Sequence, residues 1–289
     1  MCRAWFRDDG AVTDDSGLSP AALLRAYDEQ LRTTAEVHGA STVSREGPLW
    51  LATYPGGRGF ITYAGGAQGL AGVAGPALCD LVRRSLTHFC ADKSIEGVEW
   101  KTRGHDEVPG LHEALLDAGF IAAEPESIMV GEARRLDVDV PLPTGVTLRR
   151  ITQEGDVRAM LAMQAEVFGD GAARAEGMAC ELLDRLAHGD DGLQLWVAEA
   201  DGRIVSAGRL DPVAGTDFAG IWGGATRPEW RGRGIYRALT AVRARAAIAM
   251  GLRLIHSDST EFSRPILKRS GLVKVSTTTP YEWTRGELG

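Results

Sequence analysis

The sequence predicts an α/β fold, with mixed sheets, arranged as two tandem domains that are each a twisted sheet flanked by helices. Three observations carry this expectation. Strand-like and helix-like apolar periodicities alternate along the second half. A short helix, a glycine stop, an apolar residue and two strands occur twice, in "LHEALLDAGF" and "RPILKRSGL", with Gly119 and Gly271 as matching points. The chain also has 289 residues, more than one domain usually spans.

The elements follow in order. In the first half "GPALCDLVRRSLTHFCAD" reads as a helix with Leu78, Leu81, Val82 and Phe89 inward. The strand "IEGVEWKT", the helix "VPGLHEALLDAGF" and the strand-like "SIMVGEA" come next. The linker is "LDVDVPLPTGVTLRR", with two prolines and a glycine, which divides the chain into 1–140 and 141–289. Beyond it, "TQEGDVRAMLAMQAEVF" and "AEGMACELLDRLAH" read as helices. "LQLWVAEA" and "RIVSAGRLDPV" flank Asp201-Gly202 as a hairpin. "FAGIWGGAT" is a third strand, and a helix runs from about Arg231 to Met250 with Ile235, Leu239, Val242, Ala246 and Ala249 on one side. "GLRLIHSDS" is a strand, "FSRPILKRS" a short helix ending at Gly271, and "LVKVSTT" and "PYEWTR" two final strands. C-cap chemistry alone places a glycine between many helices and strands. The longer order of helix, strand, helix, glycine, strand, strand favours a degenerate internal repeat.

Composition narrows the function. Hydrophobic residues make up 44% and charged residues 25%, as in ordinary globular proteins. A net charge of -7 argues against nucleic acid, which needs a basic surface. Cys2, Cys79, Cys90 and Cys180 form no CxxC pair and no histidine-spaced cluster, so no metal is expected. Cys79 and Cys90 share a helix face and read as packing residues. No apolar run reaches the roughly 18 residues of a membrane span. A soluble, cytoplasmic protein is expected, monomeric or homodimeric, without a nucleic-acid or membrane partner.

The stretch "TRPEWRGRGIYRAL", residues 226–239, carries the chemistry. A strand that enters a glycine-rich turn opening a helix presents unsatisfied amides with the positive end of the helix dipole behind them. That is an anion site, and diphosphate suits it. Gly232 and Gly234 let the main chain come close, while Arg231 and Arg233 add charged donors. The segment is neither a P-loop, lacking Gly-Lys-Ser/Thr, nor a GxGxxG fingerprint. A solvated arginine-rich helix start beside Pro228 is the plain alternative.

The segment resembles motif A of the GNAT superfamily, the Gcn5-related acyl-CoA N-acyltransferases, whose pattern is Arg/Gln-x-x-Gly-x-Gly/Ala. Arg231, Gly234 and Ile235 fit it, while Tyr236 stands at the final Gly/Ala. The order of elements matches the family over residues 146–285. The first half resembles a second, decayed copy without motif A, as in tandem-domain members, and would cover a sheet edge and shape an acceptor cleft. The resemblance implies acetyl-CoA as cosubstrate and a small-molecule primary amine as acceptor, with direct transfer in a ternary complex. It implies that the amides of Arg231, Gly232, Arg233, Gly234, Ile235 and Tyr236 bind the diphosphate. The strand ending at Thr226 would splay to pair with pantetheine, and Ser263 would lie close to the cosubstrate.

The catalytic groups depart from the family. Trp222 occupies the position of the usual strand carboxylate, Leu267 that of the tyrosine and Thr260 that of the asparagine. Glu261 and Asp258 are the foremost remaining candidates, followed by His256, Asp217, Arg209 and Asp211. "HSDSTE" reads equally as a polar strand end with an N-cap, and His256 reads more simply as a packed residue. Alternation places Trp222 on the face of Thr226, where it would form an aromatic acceptor wall; a core tryptophan is the rival reading. The vacant positions also motivate a non-catalytic acyl-CoA-binding protein, or a GNAT-fold enzyme with another donor or chemistry.

Overall fold

The computed structural model describes residues 17–189 and 192–286. Cys2 lies outside the described residues. The first half contains α1 (Pro20–Gln30), β1 (Thr42–Glu46), β2 (Leu49–Tyr54), β3 (Arg58–Tyr63), α2 (Gly75–Ala91) and β4 (Gly97–Lys101). It continues with α3 (Leu111–Asp117), β5 (Ile121–Ala122), β6 (Glu126–Glu132) and α4 (Ala133–Leu136). The second half contains β7 (Val146–Ile151), α5 (Glu154–Phe168), α6 (Ala172–His188), β8 (Gln194–Ala200), β9 (Arg203–Pro212) and β10 (Phe218–Thr226). It ends with α7 (Ile235–Ala249), β11 (Leu254–Ser259), α8 (Arg264–Ser270), β12 (Val273–Thr278) and β13 (Pro280–Thr284).

The local chemistry explains these elements. Leu78, Leu81, Val82 and Phe89 are all buried along one side of α2. Asp201 and Gly202 both take left-handed φ, 49° and 70°, as a two-residue hairpin turn requires. Gly119 and Gly271 are likewise left-handed, at 92° and 113°, and end α3 and α8 as the repeat predicts. α1 and the β1–β3 meander were not legible as periodic segments. Ser19 caps α1, accepting from the Ala22 amide at 3.2 Å.

Two mixed sheets result, ordered β1-β2-β3-β4-β13-β5 and β12-β6-β11-β10-β9-β8-β7. In each, one parallel pair flanks a helical crossover: β3 with β4, and β10 with β11. Cα pairing also shows that the halves exchange strands. β13 enters the first sheet between β4 and β5, and β6 enters the second between β11 and β12. The cut near residue 140 falls between α4 and β7, and sheet membership crosses it. Of the two final strands assigned to the second unit, only β12 stays there. The residues explain the placements. Ile128, Met129 and Val130 are wholly buried, so β6 is apolar on both faces and suits the middle of a sheet. In β13, Tyr281 and Trp283 point into the first core while Glu282 and Thr284 are exposed, the alternation of a half-buried strand.

α2 and α3 cover one face of the first sheet. α7 and α8 cover one face of the second, and α1, α5 and α6 the other. At Gly131 of β6 an added Cβ would lie 2.9 Å from the Gly271 carbonyl, so the exchanged strand packs directly on the end of α8. Among the described residues no helix is long and apolar enough to cross a membrane.

Because β13 is shared, Trp283→Ala should destabilise the whole molecule, not one half. A loss of about 3–5 kcal/mol is expected for a buried tryptophan, read as one cooperative urea transition moved to lower concentration. Two separate transitions with only one displaced would contradict the exchange.

Candidate active site

β10 pairs with β11 only from Phe218/Leu254 to Gly220/His256, although β10 continues to Thr226 and β11 to Ser259. Beyond that point the strands part. On its other edge β10 carries a bulge against β9 between Trp222 and Ala225. Gly223 takes φ 59° there, and its carbonyl accepts a hydrogen bond from Gln164 Nε2. Gly224 is a packing glycine: a Cβ would lie 2.5 Å from the Tyr236 ring. At the apex, Ser257 Oγ donates to the Ile221 carbonyl at 2.9 Å.

The bulge corrects one expectation. Its extra residue shifts the alternation, so Trp222 and Thr226 lie on opposite faces of the sheet. Trp222 turns toward α1, edge-to-face with His256 at 5.1 Å. Thr226 points to the α7 side, where its hydroxyl meets that of Ser206 at 2.7 Å.

The signature turn follows. Pro228–Trp230 form a short 3₁₀ turn, and Arg231 Nε donates to the Thr226 carbonyl at 3.0 Å, closing the loop. The Arg233 guanidinium stacks 4.9 Å from the Trp230 ring. α7 begins at Ile235 rather than Arg231, because Gly232 and Gly234 are left-handed at 74° and 81°. Their need for glycine is therefore conformational; no heavy atom lies within 4 Å of a Cβ built at Gly232. The first helical bond is donated by the Ala238 amide to the Gly234 carbonyl at 3.0 Å, which leaves the amides of Ile235, Tyr236 and Arg237 unused by the helix. The phenol of Tyr236 packs beneath Gly224, so its side chain fills the sheet while its amide stays in the turn. These features fit a diphosphate-bearing thioester: an open amide cradle at a helix start, continuous with a gap between two parallel strands.

Sequence candidates scatter around this gap. Ser263 precedes α8, half-buried, with its hydroxyl 3.3 Å from that of Thr260. Glu261 is exposed, 3.9 Å from Arg264. Asp258 lies on β11 two residues past the apex, on the His256 face. Its Oδ2 takes the Lys101 ammonium at 2.6 Å, while its buried Oδ1 has no hydrogen-bond partner. His256 is enclosed by Tyr27, Phe218 and Trp222, and burial brings its pKa down to about 4, so the ring is neutral at pH 7. Arg209 and Asp211 share this face, with Asp211 held by Arg185 at 2.6 Å. Asp217 pairs with Arg253 at the far end of β10.

Lys101 belongs to the first half, so the two sheets face one another across this site. Lys101 also meets Glu36 at 3.4 Å, and Glu36 in turn accepts from Arg103 and from Thr62 Oγ1. Burial alone would raise the Glu36 carboxyl, but Arg103 and Lys101 overcome it and hold it at about 2. The same strand brings Glu99 to this face, half-buried, and Glu126 at the start of β6 lies nearby. None of these residues stands out in the sequence as a site residue. A signal was present in "VEWK", where apolar Val98 and Trp100 alternate with Glu99 and Lys101, marking a charged strand face. Among the described residues no His, Cys, Asp and Glu group is arranged to hold a metal.

Residues 160–268 match the family model described as the acetyltransferase (GNAT) family. The whole chain has the fold of a GCN5-related N-acetyltransferase from Kribbella flavida, at 17% identity and TM-score 0.65, over 88% of this chain and 95% of that one. It is also similar to a GCN5-related N-acetyltransferase from Sphaerobacter thermophilus, at 18% identity and TM-score 0.56, over 82% and 76%. A third similar structure is a tandem GNAT protein from the clavulanic acid biosynthesis pathway, at 14% identity and TM-score 0.52, over 83% and 79%. No curated protein matches the sequence significantly.

The Glu36 carboxyl is depressed, so its stabilisation is fully present above the ordinary value of 4.5 and is lost as pH falls toward about 2. Urea stability should therefore fall by on the order of 3 kcal/mol between pH 5 and pH 2 through this group, and Glu36→Gln should flatten that part of the profile.

Proposed function

We propose that the protein is an acetyl-CoA-dependent N-acyltransferase that acts on a primary amine of a small molecule, by direct transfer in a ternary complex. The observation that carries this reading is the continuity of the amide turn at 231–236 with the gap between β10 and β11. The GNAT match of residues 160–268 supports the same cosubstrate.

Acetyl-CoA supplies the activated acyl group. The amides from Gly232 to Tyr236 hold the diphosphate, with the α7 dipole behind them; the Arg231 amide already donates to the Pro228 carbonyl at 3.2 Å, so Arg231 joins Arg233 at the rim through its side chain. The parted edge of β10, ending at Thr226, gives its backbone to the pantetheine arm, and Ser263 flanks that arm from the start of α8. Trp222 forms an apolar wall for the acceptor on the opposite face. Asp258 has the carboxylate oxygen without a partner beside the gap: its Oδ1 accepts a hydrogen from the acceptor ammonium and takes the proton, directly or through water, with the exposed Glu261 as the alternative. The amine then forms its C–N bond to the thioester carbonyl carbon as the C–S bond breaks; the nitrogen gives up its second proton to water, and water returns a proton to the departing thiolate. Leu267 is buried in the core, so α8 offers no acid there.

We assign the first half, residues 1–140, as a degenerate GNAT-like domain without its own thioester gap, and residues 141–289 as the acyl-CoA-binding domain. β3 and β4 stay paired from Arg58/Gly97 to Ile61/Trp100, and Arg103 fills the end of that pair by donating to Thr62 Oγ1 at 2.9 Å. The free thiols of Cys79, Cys90 and Cys180 support a reducing, cytoplasmic setting, with the protein acting as a monomer or homodimer.

Calorimetry with coenzyme A tests the grip. Gly232→Ala with Gly234→Ala forces left-handed φ on alanine at about 1–2 kcal/mol per residue, and affinity should fall at least tenfold. Thiol release from acetyl-CoA across an amine panel tests the transfer. Tight binding without turnover on any amine would favour an acyl-CoA-binding protein instead, and no heat with coenzyme A would remove the reading altogether.

A further inference from the structure

α7 carries a buried cation to which the fold gives no counter-charge. Arg243 is 1% exposed. Its Nε donates to the Leu239 carbonyl at 2.9 Å, its Nη1 to the Arg209 carbonyl at 3.2 Å and its Nη2 to Thr240 Oγ1 at 3.5 Å. Among the described residues no carboxylate pairs with it. Enclosing a guanidinium on neutral acceptors alone costs folding free energy, and an apolar side chain of similar volume would fill the space at less cost. The sheet is also cut back to admit it: a Cβ built on Gly208 of β9 would lie 2.5 Å from Arg243 Nη1.

A second cut lies directly opposite. In the β9–β10 ladder Trp222 pairs with Arg209 and Ala225 with Ala207, so Gly208 faces the two bulge residues, Gly223 and Gly224. Tyr236 covers Gly224: a Cβ built there would lie 2.5 Å from its Cε2 and 2.7 Å from its phenol oxygen. Tyr236 and Arg243 stand two turns apart on one side of α7. Two facing glycines therefore admit a phenol and a guanidinium side by side under the strands. Gly224 lies beyond the last parallel pair, Gly220 with His256, on the length of β10 that has left β11. Arg243 is enclosed while Tyr236 is half-buried, so the phenol is the member of the pair open to the gap. Burial raises the phenol pKa, and the Arg243 guanidinium opposes that rise.

We propose that Tyr236 is the acid of the transfer, giving its phenol proton to the sulfur of coenzyme A, and that Arg243 is the residue that positions it. This rests on the acyltransfer reading and names the group through which the thiolate recovers its proton. On that reading the pantetheine arm runs along the parted edge of β10 from the amide turn toward the apex, and Gly224 lies on this stretch. As the C–S bond breaks, its electron pair moves onto sulfur and the phenol proton follows. The phenolate left beside Arg243 then regains a proton from water. The cation that lacks a carboxylate in the resting protein has an anion beside it only as the thiol departs, which is the kind of interaction that lowers a barrier. α8 presents Leu267, so the signature helix supplies the acid that α8 does not.

Calorimetry of the full chain with coenzyme A and with desulfo-coenzyme A, which lacks the sulfur, tests the contact without turnover. The wild type should bind coenzyme A about fivefold more tightly than the desulfo form, as one hydrogen bond to sulfur would give. Tyr236→Phe keeps the ring beneath Gly224; it should leave the desulfo affinity unchanged and erase the difference. In thiol-release assays Tyr236→Phe should lower kcat about tenfold or more, with the KM for acetyl-CoA moving by less than about twofold. Arg243→Met should hold or raise Tm, because it removes an unpaired buried charge, yet lower kcat at the same KM. An arginine that serves packing alone would lower Tm and leave kcat as it was. Equal wild-type affinities for the two ligands, or an unchanged kcat in Tyr236→Phe, would overturn the role of Tyr236 and leave the acyltransfer reading standing. No heat with either ligand would remove both.

Discussion

β6 donates its ladder to β11 on one edge and β12 on the other, and that pairing makes the candidate site possible. A parallel pair that splays leaves backbone groups on both inner edges without partners, which ordinarily favours reclosure. β11 tolerates the loss because its opposite edge stays laddered to β6 through Asp258/Ile128 and Ser259/Ser127, past the point where β10 departs. β10 tolerates it through the Gly223–Gly224 bulge, which hands one carbonyl to Gln164 and makes room for Tyr236. The gap is thus held open by a strand from the other half and by two glycines in its own strand.

The exchange also sets the electrostatics. With β6 and β13 in place, the polar face of β4 comes to rest over β11, and Lys101 meets Asp258 at 2.6 Å. Burying Lys101, Arg103, Glu36 and Asp258 together is costly, and a hydrophobic contact of equal size would serve stability as well. What the charges add is geometry. Displacing one sheet along the other would strand a buried ion, so the relative placement of β4 and β11 is narrowly fixed.

Much of the fold was legible in the sequence because its signals are local. The helix of residues 75–91, the Asp201-Gly202 hairpin and β10 follow from periodicity and turn chemistry within a few residues. The amide turn was legible for the same reason: it is a backbone device marked by Gly232 and Gly234, and backbone donors work whatever side chains surround them. The strand exchange was not, since a strand sequence states that it will pair but not with which neighbour. The face of Trp222 was misread because a bulge of one residue inverts alternation, and "WGGA" fits a regular strand as well as a bulged one. Glu36, Glu99, Lys101 and Glu126 escaped notice because their meaning arises only when distant segments meet.

The first half carries a parallel pair of its own. That pair is closed, with Ile61 set against Trp100 and with Arg103 lodged over Thr62. Yet deletion of the first half would remove β6 and leave β11 with unpaired groups on both edges at the point where the gap must stay open. It would also remove Lys101, leaving Asp258 without its counter-charge. The second half, in turn, returns β13, without which Tyr281 and Trp283 would leave the first core. Neither half can then lose its partner strand without unfolding the other. That reciprocity fixes the first sheet in place.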